Sequence, residues 1–141
     1  NFIPEGEVVT YTIDKYNKKV ISNSIGGDAI GMPLVILVDG GSASASEVVT
    51  GALRDHGVGT IIGTTTFGKG IVQQLKVLPN DMGGLKVTTS KYYTPNGENI
   101  HGTGIEPDIV VEIPQEVLEM DYDRSIDPQF KKALEVVREK N

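Results

Sequence analysis

The chain has 141 residues, 38% hydrophobic and 23% charged, and carries a net charge of −6 from 13 basic and 19 acidic residues. That length supports one domain with a real core, and the acidic balance argues against nucleic acid or an acidic membrane as the main partner. The lack of cysteine excludes disulfides, thiolate zinc sites and cysteine nucleophiles, and no apolar run reaches the roughly 18 residues of a membrane span.

The opening, NFIPEGEVV, begins on Asn1 and reads as the middle of a longer protein. Residues 7–13, EVVTYTI, are β-branched and aromatic, as in a strand, and VISNSI returns as the second arm of a hairpin. The run LVILVD, 34–39, is continuously apolar, which suits a strand buried on both faces. In GSASASEVVTGALRDHG, Ala45, Val48, Val49, Ala52 and Leu53 recur at helical spacing, and Gly57 follows as a stop. VGTIIGT is another short strand, so the order strand–helix–strand predicts a parallel βαβ unit. IVQQLKVL and GLKVTTSKYY form a hairpin around the turn PNDMGG. TPNGENIHGTGIEPD is mostly loop, and IVVEI is a last strand. After an acidic loop, DPQFKKALEVVREK is a helix capped by Asp127, with Phe130, Leu134 and Val137 on one face. The fold class is therefore α/β with an α+β-like mixture: a sheet core, a βαβ unit, flanking helices and a hairpin in a single partial domain.

The stretch GTTTFGKG, 63–70, frames Lys69 with two glycines. Gly63, Gly68 and Lys69 fit G-x-x-x-x-G-K, but a phosphate loop also needs Ser or Thr next and then a helix. Position 70 is glycine and the following segment is strand-like, so both contexts fail. A lysine in such a turn is most often simply solvated. Against that, Phe67, Ile71 and Val72 are apolar, and desolvation favours the neutral amine, which can act as a base. If IVQQ is extended, Lys69, Ile71 and Gln73 share one face.

A base needs a nucleophile, and Ser42, Ser44 and Ser46 gather where a strand gives way to a helix. Free N–H groups there would stabilise an oxyanion. A competing account of Ser44 is structural, since Ser44 and Glu47 spell S-x-x-E, a capping box. The nucleophile pattern G-x-S-x-G is absent. His56 lies at the far end of the helix, about 18 Å from Ser44 at 1.5 Å per residue, too far to be its base. His101 with Asp55 or Asp108 stays open as part of a triad. No His, Asp or Glu cluster has metal-ligand spacing, and nothing implies a cofactor.

VDGGSASASEVVTGALRDHG, GTTTFGKGIVQQ and KYYTPNGENIHGTGIEPDIVV together resemble the carboxyl-terminal processing peptidases, or tail-specific proteases. The resemblance runs over nearly the whole chain, from FIPEG to the DPQFKKALEVV helix. It implies Ser44 as nucleophile, Lys69 as general base and Gln73 as its assistant. It also implies the Ala45 N–H as part of the oxyanion hole and Asp55 as a residue that supports the site. By the same resemblance the chain, 1–141, is a partial catalytic core. The family's upstream segment, which adds a second oxyanion-hole N–H, and its PDZ domain lie outside it. The implied activity is a serine-type endopeptidase acting near the C-termini of polypeptides, outside the cytoplasm in the bacterial envelope. The rival class is a non-catalytic peptide-binding or assembly module, because an incomplete sheet offers its edge to a peptide or to a second copy of the chain.

Overall fold

The computed structural model describes residues 1–80, 82–121 and 123–140. Its strands form two sheets. In the first, β1 (Val8–Asp14) pairs antiparallel with β2 (Lys19–Asn23) on one side and with β6 (Gly84–Tyr93) on the other. The strand β5 (Ile71–Val77) completes it against β6, in the order β2-β1-β6-β5. The second sheet is parallel, with β4 (Thr60–Gly63) between β3 (Val35–Val38) and β7 (Ile109–Val110).

The expected βαβ unit is present as β3, α1 (Ala45–Asp55) and β4. Gly57 ends α1 at φ 66°, with its N–H on the Arg54 carbonyl and Val58 N–H on that of Leu53. Ala52 and Leu53 bury against Ile3, Val9, Leu34 and Ile36. A second cluster joins the two sheets: Val38 and Ile61 meet Tyr92, Ile100 and Ile105, with Val48 and Val72 alongside. This contact holds the first turn of α1 beside β5 and β6, and thereby positions the site.

Several expectations of burial are corrected. Leu37 is 39% exposed, because β3 is an edge strand rather than a central one. Val49 is 54% exposed, so the apolar stripe of α1 is narrower than its spacing suggests. The last strand is short: only Ile109–Val110 pair before Pro114 opens a brief helix, α2 (Gln115–Leu118), where a loop was expected. Asp127 does cap the final helix, α3 (Pro128–Glu139), accepting from the Gln129 and Phe130 N–H groups. Its buried residues, however, are Gln129 and Val136, while Leu134 stays 40% exposed. The helix is turned so that it packs against β3 and β4, with Gln129 Nε2 donating to the Val111 carbonyl. The expected turn PNDMGG joins β5 to β6, and Asp81 within it lies outside the described residues.

Burial sets the mutational cost. Ile61→Ala, at a site 1% exposed, should lose about 2–5 kcal/mol of stability, because it leaves a cavity between the sheets. Leu37→Ala on the open edge should cost much less. Urea unfolding of the two variants checks the contrast, and equal losses would place the core elsewhere.

Candidate active site

The three serines have different surroundings. Ser42 is bound into a turn: its N–H and hydroxyl both donate to Asp39 Oδ1, at 3.0 and 3.1 Å. Ser46 is exposed, and its carbonyl accepts from the Thr50 hydroxyl at 2.8 Å. Ser44 lines a cavity of about 450 Å³ together with Ala45, Val48, Lys69, Ile71, Val72, Gln73 and Tyr92. Four of the sequence-selected site residues, Ser44, Ala45, Lys69 and Gln73, thus share one hollow.

Ser44 holds an unusual backbone, φ 56° and ψ −111°, in the region that side-chain-bearing residues avoid. Such strain costs on the order of 1–3 kcal/mol and persists only where the surroundings enforce it. The enforcing group is Glu47. Its carboxylate has no exposure and receives four donors. Oε2 accepts from the N–H groups of Ser44 and Lys69, both at 2.9 Å. Oε1 accepts from the Thr66 hydroxyl and the Gly68 N–H, both at 2.6 Å. The capping-box reading of Glu47 therefore holds for its bond to the Ser44 N–H, but the same carboxylate also reaches across to the lysine loop. Burial pushes its pKa up, and the hydrogen bonds from Thr66, Lys69, Gly68 and Ser44 outweigh burial and hold it below 4.5.

The glycines around Lys69 answer to a close approach of backbone. A Cβ on Gly68 would meet Gly104 N at 2.9 Å, and one on Gly70 would meet His101 N at 2.6 Å. The loop after β6 thus packs directly on the lysine loop. Asn99 fastens it, donating from Nδ2 to the carbonyls of Gly70 at 3.0 Å and Tyr92 at 2.6 Å. Tyr92 in turn donates its hydroxyl to the Ser44 carbonyl at 3.3 Å. Burial, and then the Glu47 charge, push the Tyr92 phenol well above its ordinary value, so it stays a donor. Tyr92, Thr66 and Asn99 were not singled out from the sequence. Their only local sign is the polar and aromatic run KYYTPNGEN, which reads equally well as strand and loop.

The remaining residues fall as follows. Lys69 is half-buried, with Ile71 and Val72 beside it on the cavity wall. Phe67, expected to help desolvate it, is 65% exposed and lies off that wall. Gln73 Nε2 bonds Thr88 Oγ1 at 3.4 Å. Among the described residues no hydrogen bond joins Ser44 Oγ, Lys69 Nζ and the Gln73 amide. The Ala45 N–H sits in the first turn of α1, where no helical carbonyl can reach it. Asp55 lies at the opposite end of that helix, paired with Arg54 at 3.1 Å and accepting from the Asn96 N–H at 2.8 Å. Arg54 also pairs with Glu98. The triad alternative loses its geometry: His101 Nδ1 contacts the Gly68 carbonyl at 3.2 Å, His56 Nε2 contacts that of Val8 at 2.7 Å, and Asp108 accepts from the Ile61 N–H. Among the described residues no group of three metal-binding side chains gathers. A helical segment after Lys69 is also absent, since β5 begins at Ile71, and the phosphate-loop reading ends there.

A family model described as Peptidase family S41 matches residues 1–111. The chain belongs to peptidase family S41. Within that family it is 49% identical over 114 residues to a carboxy-terminal-processing protease of Bartonella bacilliformis, covering 80% of this chain and 26% of that protein. It is 40% identical over 136 residues to a carboxyl-terminal-processing protease of Synechocystis, covering 96% of this chain and 31% of that one. The chain therefore spans about a quarter to a third of these S41 relatives. A solved photosystem II D1 C-terminal processing protease superposes with a TM-score of 0.71 at 37% identity, over 85% of this chain and 30% of that structure. A solved S41 protease from Bacteroides fragilis aligns with a TM-score of 0.76 at 15% identity, a likeness of fold alone. The resemblance read from the serine block and the F-G-K-G segment is thus the family to which the chain belongs.

The fold of this chain leans on Glu47, and acid should expose this. Its folded-state pKa is depressed, so its stabilisation is present above about pH 4.5 and is lost as pH falls through the lower folded value. Glu47→Gln should cost about 1.5–3 kcal/mol at neutral pH. It should also remove part of the acid sensitivity of the wild type. Urea unfolding of both proteins at neutral and acid pH checks this, and parallel pH profiles would sink it.

Proposed function

We propose that this chain is a partial catalytic core of a serine-type endopeptidase that cleaves polypeptides near their C-termini with a Ser44–Lys69 dyad. One observation carries the reading: Ser44 and Lys69 face one cavity while their backbone N–H groups share a single carboxylate oxygen, Glu47 Oε2. Ser44 Oγ attacks the scissile carbonyl carbon, and its proton passes to Lys69 Nζ acting as general base. The Ala45 N–H donates to the oxyanion. As the tetrahedral intermediate collapses, the Lys69 ammonium returns the proton to the departing amine. Water then attacks the acyl-serine, with Lys69 again taking the proton, and the second collapse frees Ser44. Gln73, whose Nε2 already faces Thr88, has its amide oxygen left to orient the lysine amine. The Ser–Lys pair follows the same logic as a triad, with one amine doing the work of the imidazole.

The proposal includes location and partners: an extracytoplasmic protein of the bacterial envelope acting on C-terminal polypeptide tails, with Asp55 supporting the site by holding the end of α1 to the loop after β6. The open Ser44–Lys69 geometry favours a second reading, a non-catalytic module that binds a peptide or a second copy along the free edge of β3 or β5.

A fluorophosphonate probe separates the two. Labelling that is lost in Ser44→Ala and kept in Ser42→Ala and Ser46→Ala supports the peptidase; no labelling supports the module. In the full-length protein Ser44→Ala should abolish peptide cleavage. Lys69→Arg should be as inactive as Lys69→Ala, because arginine keeps a positive charge but does not give up its proton. Cleavage by Lys69→Arg at more than a small fraction of the wild-type rate would return Lys69 to a purely electrostatic role.

A further inference from the structure

The cavity that holds Ser44 differs in sign from the chain around it. The protein carries a net charge of −6. Yet the cavity is lined by two lysines, Lys69 and Lys86, and among the described residues by no carboxylate. The site's own carboxylate, Glu47, is buried and has both oxygens committed to four donors. Lys69 is claimed by the proposed chemistry; Lys86 is not. Among the described residues the Lys86 ammonium makes no hydrogen bond and no ion pair. Its neighbours on the hairpin explain its aim. Lys86 pairs across the strands with Leu75, and Thr88 pairs with Gln73. Lys86 thus stands two residues along β6 from the partner of Gln73. At a strand rise of about 3.4 Å that is about 7 Å, the span of two residues of an extended peptide.

We infer that Lys86 is a specificity-determining residue that reads a carboxylate carried by the peptide substrate about two residues from the group that faces Gln73. The inference rests on the peptidase reading above. A lysine ammonium is a compact point charge on a flexible stem, suited to an acceptor whose orientation is not fixed. Lys86 is exposed where it lines a cleft walled by Val48, Ile71 and Val72, so its charge is partly screened by solvent. The carboxylate has two sources, an Asp or Glu side chain or the free C-terminus of the substrate. The chemistry at Lys86 is the same for both.

The test compares fluorogenic peptides in the full-length protein. One arm walks Asp against Asn through the positions flanking the cleaved bond. The other arm compares a free C-terminus with its amide. The wild type should favour the carboxylate member in one arm by about five- to tenfold in kcat/KM, the range of a partly screened charge contact. Lys86→Gln should bring that ratio to about one, Lys86→Glu should invert it, and Lys86→Arg should largely keep it. The arm that responds names the source. A ratio unchanged by Lys86→Glu in both arms overturns the inference. The same peptides, titrated by fluorescence anisotropy against Ser44→Ala with and without Lys86→Glu, give a readout free of cleavage. If the wild type cleaves nothing while this binding preference still depends on Lys86, the peptidase reading fails and the carboxylate reading stands. If cleavage depends on Ser44 but neither measurement responds to Lys86, only the carboxylate reading fails.

Discussion

Glu47 sits with no solvent exposure and still bears a charge, because four donors converge on it. An isolated buried carboxylate would be strongly unfavourable; one met by four donors is held in place by each of them. Two come from either side of the proposed chemistry, the N–H groups of Ser44 and Lys69, and two from the intervening Thr66 and Gly68. The consequence is geometric. The helix start and the lysine loop are separated by most of a βαβ unit in sequence, yet both backbones are fixed to one rigid group. The strained conformation of Ser44 follows from the same restraint, since its N–H must turn toward Glu47 while its chain enters the helix.

A second connection runs behind the first. Tyr92 reaches the Ser44 carbonyl, and Asn99 joins the Tyr92 carbonyl to that of Gly70. Ser44 and the lysine loop are thus tied twice, once through a carboxylate and once through a phenol and an amide. Neither tie uses the Ser44 hydroxyl or the lysine amine. The glycines at 68 and 70 make this arrangement sterically feasible, because the loop at 99–104 passes where side chains would otherwise stand.

The sequence carried the local parts of this plan. The apolar run at 34–39, the helical spacing after Ser44 and the strand after Gly57 were enough for the βαβ unit, and the turn PNDMGG between two strand-like runs defined the β5–β6 hairpin. What failed was burial. Leu37, Val49, Phe67 and Leu134 are apolar and stand open, each for a reason that lies outside its own segment. Leu37 depends on which strand is the sheet edge, and Leu134 depends on how α3 is turned against β3 and β4. The site was legible to the same extent. Ser44 and Glu47 spell a capping box, but three of the four donors to Glu47 arrive from residues 66–69, a closure that no local pattern announces. Lys69 between glycines looked like a phosphate loop because both arrangements need bare backbone beside a lysine, in one case for phosphate and here for a neighbouring loop.

Net charge misleads in the same way. Seen from beyond a Debye length of about 10 Å, this protein is an anion. A peptide already in the cavity is closer than that, and the charges that line the wall are Lys69 and Lys86. Glu47 is adjacent in the fold but spends its charge on four polar hydrogens, leaving little to oppose a substrate carboxylate. The far field therefore does little to draw an acidic substrate in, and selection falls to contacts made after entry. On the proposed peptidase reading, such a site would discriminate through how long a peptide stays rather than how fast it arrives, which suits a cleft that would hold an extended chain while Ser44 finds the carbonyl.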